Sequence, residues 1–365
     1  MIKKNNLRQT LDRYLAFYER RLEDGILAHI PAPPEESPVQ PAVETGEPRG
    51  RKCLLLENLE GFFLRVKAQN FTNCLGDYIP LVYPTCNFGE SIWSGMLGGD
   101  ILFAGTNLHT WSHCPTPVIG TIETFNFPEV KEDNFWYNQM LRVTKYFADH
   151  LEPVCDVQNF IFMDCLNLLV ELRGAAAYTD LYDYPDFVEK FLDWSVKENI
   201  RVFDAQASLV KELVRTAYGD HPCYKYARCN IPDISIDAYG LCRKEFYVSF
   251  GLEQHKKIVE HYGGARLHVH GNGRQLCRLV SKIEKISECW FTEDVGYANP
   301  YEIVEELKEE MHPIPIRINI PKEIFVKKLK ERALPGGITY VVSGAENLNE
   351  ANQIMLKVFD YRPRC

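Results

Sequence analysis

Ala265–Gly273 reads ARLHVHGNG. Polar and aliphatic side chains alternate through its first six residues, and this period of two marks a strand. Successive side chains of a strand point to opposite faces. Arg266, His268 and His270 therefore share one face, and Leu267 and Val269 take the other. The apolar face suits packing on helices, which leaves the polar face pointing inward. The GNG that follows is a turn, because glycine tolerates backbone angles and close approaches that other residues do not.

Seven other short runs flank this strand. They are Tyr78–Tyr83, Asp100–Phe103, Val157–Met163, Asp233–Asp237, Glu288–Thr292, Ile314–Ile318 and Gly337–Val342. Amphipathic segments fall between most of them. Phe187–Arg215 is the clearest, with apolar residues at helical spacing and Pro185 just ahead, where proline does little harm. Ala351–Phe359 reads as a closing helix. Strands alternating with helices argue for a parallel sheet. Eight such units predict an α/β fold of the closed (β/α)₈ TIM-barrel type. An open doubly wound sheet is the other arrangement of such units. No G-x-G-x-x-G follows the first strand, however, and there is no Walker lysine motif.

Towards the N-terminus, residues 8–27 carry Leu11, Leu15, Tyr18, Leu22 and Leu27 among charges and read as a helix. His29–Arg51 is rich in proline and glutamate and too polar for a core of its own. The expected organisation is an N-terminal helical extension with a Pro-rich linker over 1–70, then a barrel over 71–365. The arm at 29–51 would either wrap a second copy in a homodimer or hang free.

Composition narrows the function classes. The 365 residues are 45% hydrophobic and 25% charged, as in ordinary globular proteins. A net charge of −9 speaks against binding nucleic acid through phosphate contacts. No apolar run approaches the ~18 residues of a membrane span. The basic start MIKKNNLRQTLDRYL lacks an apolar signal core. The 12 cysteines are scattered without C-x-x-C, so reduced thiols in a cytoplasmic protein are expected.

In barrels of this kind the chemistry sits at the C-terminal ends of the strands. The residues so placed are Pro84, Thr85, Cys86 and Asn87 after the first strand, and Thr106, His109 and Trp111 after the second. Asp164 follows the third, and Asp237 with Tyr239 the fourth. His268, His270 and Asn272 belong to the fifth, Glu293 and Asp294 to the sixth, Asn319 to the seventh and Ser343 to the eighth. Residues i and i+2 lie ~6.5–7 Å apart along a strand, so two imidazoles reach one ion if the second sits where the strand turns. Catalytic zinc sites use three protein ligands and keep one position open. Glu293 or Asp294, on the next strand, is the expected third ligand. A His-His-carboxylate set suits zinc, iron or manganese. The histidines could equally bind substrate without a metal, or bond each other. Asp237 is a candidate acid–base group, since a carboxyl in a water-poor cup has a raised pKa. Asp164, Tyr239, Trp111, Asn272, Asn319 and Ser343 are candidates to hold substrate. Arg173 reads as a loop ion pair, and Tyr178, Tyr182, Asp183 and Tyr184 as helix-entry packing.

Three stretches carry a family resemblance. They are Leu172–Val188 (LRGAAAYTDLYDYPDFV), Ser235–Gly273, and Leu334–Val358 (LPGGITYVVSGAENLNEANQIMLKV). The chain resembles the uroporphyrinogen decarboxylase superfamily over roughly residues 70–365, and within it the branch of cobalamin-related methyltransferases. The resemblance implies a (β/α)₈ barrel with its site at the strand C-termini. The decarboxylases themselves carry RQAGRY after their first strand, whereas this chain has VYPTCNFGE, with no arginine to grip porphyrin carboxylates. The methyltransferase branch binds zinc through H-x-C and a later cysteine, and the metal makes a thiolate that takes a methyl group from a corrinoid. Here H-x-C has become His268-Val269-His270, and Ser343–Ala345 occupies the place of the later cysteine. Imidazole and carboxylate in place of thiolate give a harder Lewis acid, suited to activating water or an oxygen-bearing substrate. Cobalamin-independent methionine synthases use a glutamate on the strand after H-x-C, and Glu293 has a similar spacing.

The resulting expectation is an enzyme acting on a small molecule through His268, His270 and Glu293, with Asp237 as acid–base. Methyl transfer linked to a corrinoid, or to a corrinoid protein as partner, is the leading reading. A metal-assisted lyase or decarboxylase of a small acid is one alternative, and a non-catalytic corrinoid-binding accessory protein is another.

Overall fold

A computed structural model describes residues 3–31, 53, 56, 58–69, 71–85, 88–105, 110–153, 156–159 and 162–363. Ten strands occur among them: β1 Ile26–His29, β2 Leu81–Val82, β3 Leu102–Gly105, β4 Thr110–His113, β5 Asp156–Val157, β6 Asp233–Ser235, β7 Ala265–Val269, β8 Ile286–Phe291, β9 Ile316–Pro321 and β10 Ile338–Ser343. Six form one parallel sheet in the order β1-β10-β9-β8-β7-β6. Strands β2 and β5 make a separate parallel pair, and β3 and β4 an antiparallel hairpin. The fold is mixed α/β, with helices following most of the parallel strands. No helix among the described residues is long and apolar enough to cross a membrane.

Two expectations are corrected. Asp100–Phe103 is not a stave of the main sheet, because Leu102–Gly105 pairs back on Thr110–His113. A short apolar run suits a hairpin as well as a stave. The helix expected over 8–27 spans only Leu7–Tyr18, and Ile26–His29 enters the sheet beside β10. Gly336 and Gly337 permit that pairing. A Cβ at Gly336 would lie 1.9 Å from the carbonyl oxygen of Glu23, and Gly337 has φ +70° and donates to the carbonyl of Gly25.

Helix Leu7–Tyr18 is pinned to β1 by a buried ion pair. Arg13 bonds both oxygens of Asp77 at 2.6 and 2.9 Å and also the carbonyl of Ile26. Asp77 in turn accepts from the N–H of Ala28, and its own N–H donates to the Ala28 carbonyl. This joins β1 to the segment leading into β2. On the other side, Gln158 donates from its backbone to Val82 and from its side chain to Asp233 on β6. The expected long helix is Pro185–Tyr218, with proline in its first turn and a buried stripe from Val188 to Tyr218. Apolar residues of one strand face, such as Ile316, Ile318 and Ile320 of β9, are fully buried. The alternate residues of β9 are half-buried. That alternation aims Arg266 and His268 of β7, Glu288 and Trp290 of β8, and Arg317 of β9 into a common cavity.

Candidate active site

The cavity has a volume of about 1080 Å³. Its walls come from β6 to β9 and the loops after β6, β7 and β8 on one side, and on the other from β2, the segment after β5 and the helices Leu166–Arg173 and Ala176–Asp183. His268 is the inward residue near the end of β7. His270 stands one step past the strand, just before the 3-10 turn Gly271–Leu276. Their Nε2 atoms lie 3.1 Å apart, with the rings edge to face. Gly271 is needed at that turn, since a Cβ there would meet the Tyr297 ring at 2.4 Å.

The chain beyond β8 holds His270 in place. Asp294 accepts from its Nδ1 at 2.7 Å and from the Gly271 N–H at 2.6 Å, and Thr292 Oγ1 lies 3.1 Å from the same Nδ1. A proton on Nδ1 leaves the lone pair on Nε2, where it points at His268. Burial opposes ionisation of Asp294, but the Gly271 N–H and His270 hold its carboxyl below the usual range. His268 packs against Trp290 at 5.1 Å between ring centroids. Burial, followed by the neighbouring His270, lowers its pKa to about 4, so it is neutral near pH 7.

The carboxylate brought to the imidazoles is Asp237, at the end of β6. Its Oδ2 lies 3.9 Å from His270 Nε2. Ser235 donates to that oxygen at 3.0 Å, and Asn167 donates to Ser235 Oγ at 2.9 Å while accepting from the Ala238 N–H. Oδ1 of Asp237 is buried without a partner among the described residues. Burial raises the carboxyl to about pKa 6, against the pull of His270. Asp237, His268 and His270 each present one donor atom within 4.8 Å of the others, a set able to hold a metal ion. Glu293 is exposed and lies outside this group. Asp294 serves as the orienting carboxylate instead.

The remaining candidates divide. Asn272 lines the cavity, with its Oδ1 buried and unpartnered. Tyr239 is buried against Tyr247, is not among the cavity residues, and has a hydroxyl without a partner among the described residues. Asp164 is fully buried behind the wall, paired with His255 and with the Ser235 N–H. Asn319 is half-buried and Ser343 exposed, and neither is among the cavity residues. Pro84 and Thr85 are also outside the lining. Cys86, Asn87, Thr106, His109 and the side chain of Trp111 lie outside the described residues. Arg173 makes the expected ion pair, at 2.8 Å to Asp180. Tyr178 lines the cavity, and the exposed Tyr182 packs on Phe246. Four contributors were missed in the sequence: Ser235, Asn167, Trp290 and Arg317. The last two could have been found from their alternation with Glu288 and Asn319.

The second donor cluster, Asp164, Cys165 and His255, is fully buried. Both nitrogens of its imidazole are already engaged, with Asp164 and with the Tyr247 hydroxyl, so it reads as a structural network.

The chain matches no protein-family model and no curated protein.

Proposed function

We propose that this chain is an enzyme that transforms a small molecule at a divalent metal, zinc foremost, held by His268, His270 and Asp237. One observation carries the reading. Two imidazole nitrogens stand 3.1 Å apart at a cavity wall, with a partly unpartnered carboxylate 3.9 Å from one of them. Two Zn–N bonds of ~2.0–2.1 Å at a tetrahedral angle place their nitrogens about 3.3–3.4 Å apart. The spacing therefore suits a shared ion with little movement. Asp294 on His270 supplies the carboxylate–histidine support that ligating imidazoles commonly have. The eight parallel strands are proposed to form a closed (β/α)₈ barrel, joined through Asp77 and Gln158, in a member of the uroporphyrinogen decarboxylase superfamily.

A metal at this donor set would act as a Lewis acid for an oxygen or sulfur atom of the substrate. The chain's own residues do the rest. Asp294 fixes the His270 tautomer. Ser235 and Asn167 aim Asp237, and the raised pKa of Asp237 lets it take or give a proton near neutral pH. Trp290 supplies an aromatic wall beside His268. The reaction proposed first is methyl transfer with a corrinoid carried by a partner protein, as the family resemblance implies. The second reading, a metal-assisted lyase or decarboxylase step on a small acid, is favoured by the ligand set, which contains no thiolate. The two separate by assay. The zinc-loaded protein is incubated with methylcobalamin and a thiol panel, and in parallel with a panel of small 2-oxo and 3-oxo acids. Demethylation of the corrinoid that is lost in H268A supports the first reading, and carbon dioxide release lost in D237N supports the second. Neither activity, in protein shown to hold metal, argues against both.

A further inference from the structure

We propose that Arg317 and Trp290 form a carboxylate-binding subsite, so that the ligand of this cavity is a small organic acid. This rests on the cavity being the ligand site but not on the metal. Three arginines line the cavity: Arg228, Arg266 and Arg317. Two are matched by acids of the wall. Arg228 pairs with Asp233, and Arg266, whose Nε and Nη1 also lack hydrogen-bond partners among the described residues, is balanced in charge by Glu288 at 3.4 Å and Asp233 at 3.9 Å. Arg317 makes no ion pair among the described residues, and its Nε is buried without a partner. Its guanidinium instead lies 5.4 Å from the centre of the Trp290 ring.

A half-buried guanidinium that stacks on an indole but has no hydrogen-bond acceptor among the described residues is suited to an anion arriving from the cavity. Its planar fork matches a carboxylate with two parallel bonds, and the indole face adds cation–π attraction to the cation. The charge of the anion follows from the rest of the wall. Glu90, Glu171, Asp233, Asp237, Glu288 and Asp294 also line the cavity. A phosphate dianion concentrates two charges at one point among six acids and is repelled there more strongly than one end of a dicarboxylate, which carries a single charge. The subsite also fixes the ligand's position. Register pairs His268 with Trp290 and Trp290 with Arg317, two strand spacings in all, or about 10 Å across the sheet. A molecule anchored by its carboxylate at Arg317 lies over Trp290 and points its other end at His268 and His270.

The test is calorimetric titration of the demetallated, dialysed full-length protein at pH 7 with glutarate, at ionic strength matched with chloride. Glutaramide is the neutral control. Wild type should bind glutarate saturably and glutaramide not at all. Arg317→Met should weaken glutarate binding roughly ten- to hundredfold, as expected for loss of a charge-assisted pair. Arg317→Lys, which keeps the charge without the fork, should weaken it less and decides the matter if Arg317→Met does not fold. Glu293→Gln, at an exposed residue outside the lining, should bind glutarate like wild type, and titration without metal separates this subsite from the metal reading. Absence of glutarate binding in wild type overturns the proposal, as does unchanged binding in folded Arg317→Met or Arg317→Lys.

Discussion

Asp294→Asn is the most revealing single substitution, because it leaves every proposed metal ligand in place. Asp294 accepts from His270 Nδ1 at 2.7 Å and from the Gly271 N–H at 2.6 Å, using one oxygen for each. An asparagine has only one acceptor oxygen. Whichever way its amide turns, a nitrogen donor then faces either the imidazole or the Gly271 N–H. If it faces the imidazole, Nδ1 gives up its proton and Nε2 takes it, which masks the lone pair a metal needs. Thr292 Oγ1, 3.1 Å from Nδ1, still steadies the ring, so the loss is partial. Removing such supporting groups costs about 10–100-fold in metal affinity, or about 1.4–2.7 kcal/mol. Zinc affinity is read by competition with a chromophoric chelator, and thermal melts of the metal-free proteins check folding. Glu293→Gln, changed at an exposed neighbour, should bind like wild type. Zinc affinity of folded Asp294→Asn within twofold of wild type would mean that Asp294 does not set the His270 tautomer.

Three further outcomes follow from the same geometry. Asp237 has a folded pKa of about 6, above its ordinary value of 3.8, so the native state binds more protons and stability falls as pH rises between these values; Asp237→Asn should therefore raise the melting temperature of the metal-free protein at pH 7.5 while weakening zinc binding, and a lower melting temperature would contradict the burial argument. Asp77→Ala leaves the partly buried Arg13 guanidinium with only the Ile26 carbonyl, a change expected to cost up to about 3 kcal/mol in urea unfolding, whereas a surface pair such as Lys145–Asp149 should cost under about 1 kcal/mol. Gly336→Ala puts a Cβ 1.9 Å from the Glu23 carbonyl and should destabilise by about 2 kcal/mol or more, with faster amide exchange in β1 and β10 if the pairing is as described.

The sequence showed the inward face of β7 because period-two alternation is strict within a strand, and His268 and His270 both reach the cavity. That parity did not carry past the end of β8 at Phe291, where the chain leaves extended geometry. Glu293 therefore looked equivalent to Asp294, and only coordinates separate them. Asp237 was legible as a candidate acid–base group. Its closeness to His270 was not, because the distance between the ends of β6 and β7 depends on register and on the turns that follow. Ile26–His29 was divided between a helix ending at residue 27 and an arm opening at His29, because ILAH is too short for periodicity to discriminate and the deciding contact lies more than 300 residues away in β10. Arg317 and Trp290 were overlooked for a different reason. Both precede the strand ends on which functional residues concentrate, and the significance of Arg317 lies in a missing partner, which no sequence displays.

Whether the paired imidazoles share an ion is read from anomalous diffraction at the zinc edge of a zinc-soaked crystal of the protein. One strong peak is expected about 2.0–2.2 Å from His268 Nε2, His270 Nε2 and an oxygen of Asp237. Zinc bound elsewhere, with the two rings still bonded to each other at 3.1 Å, would contradict a shared ion.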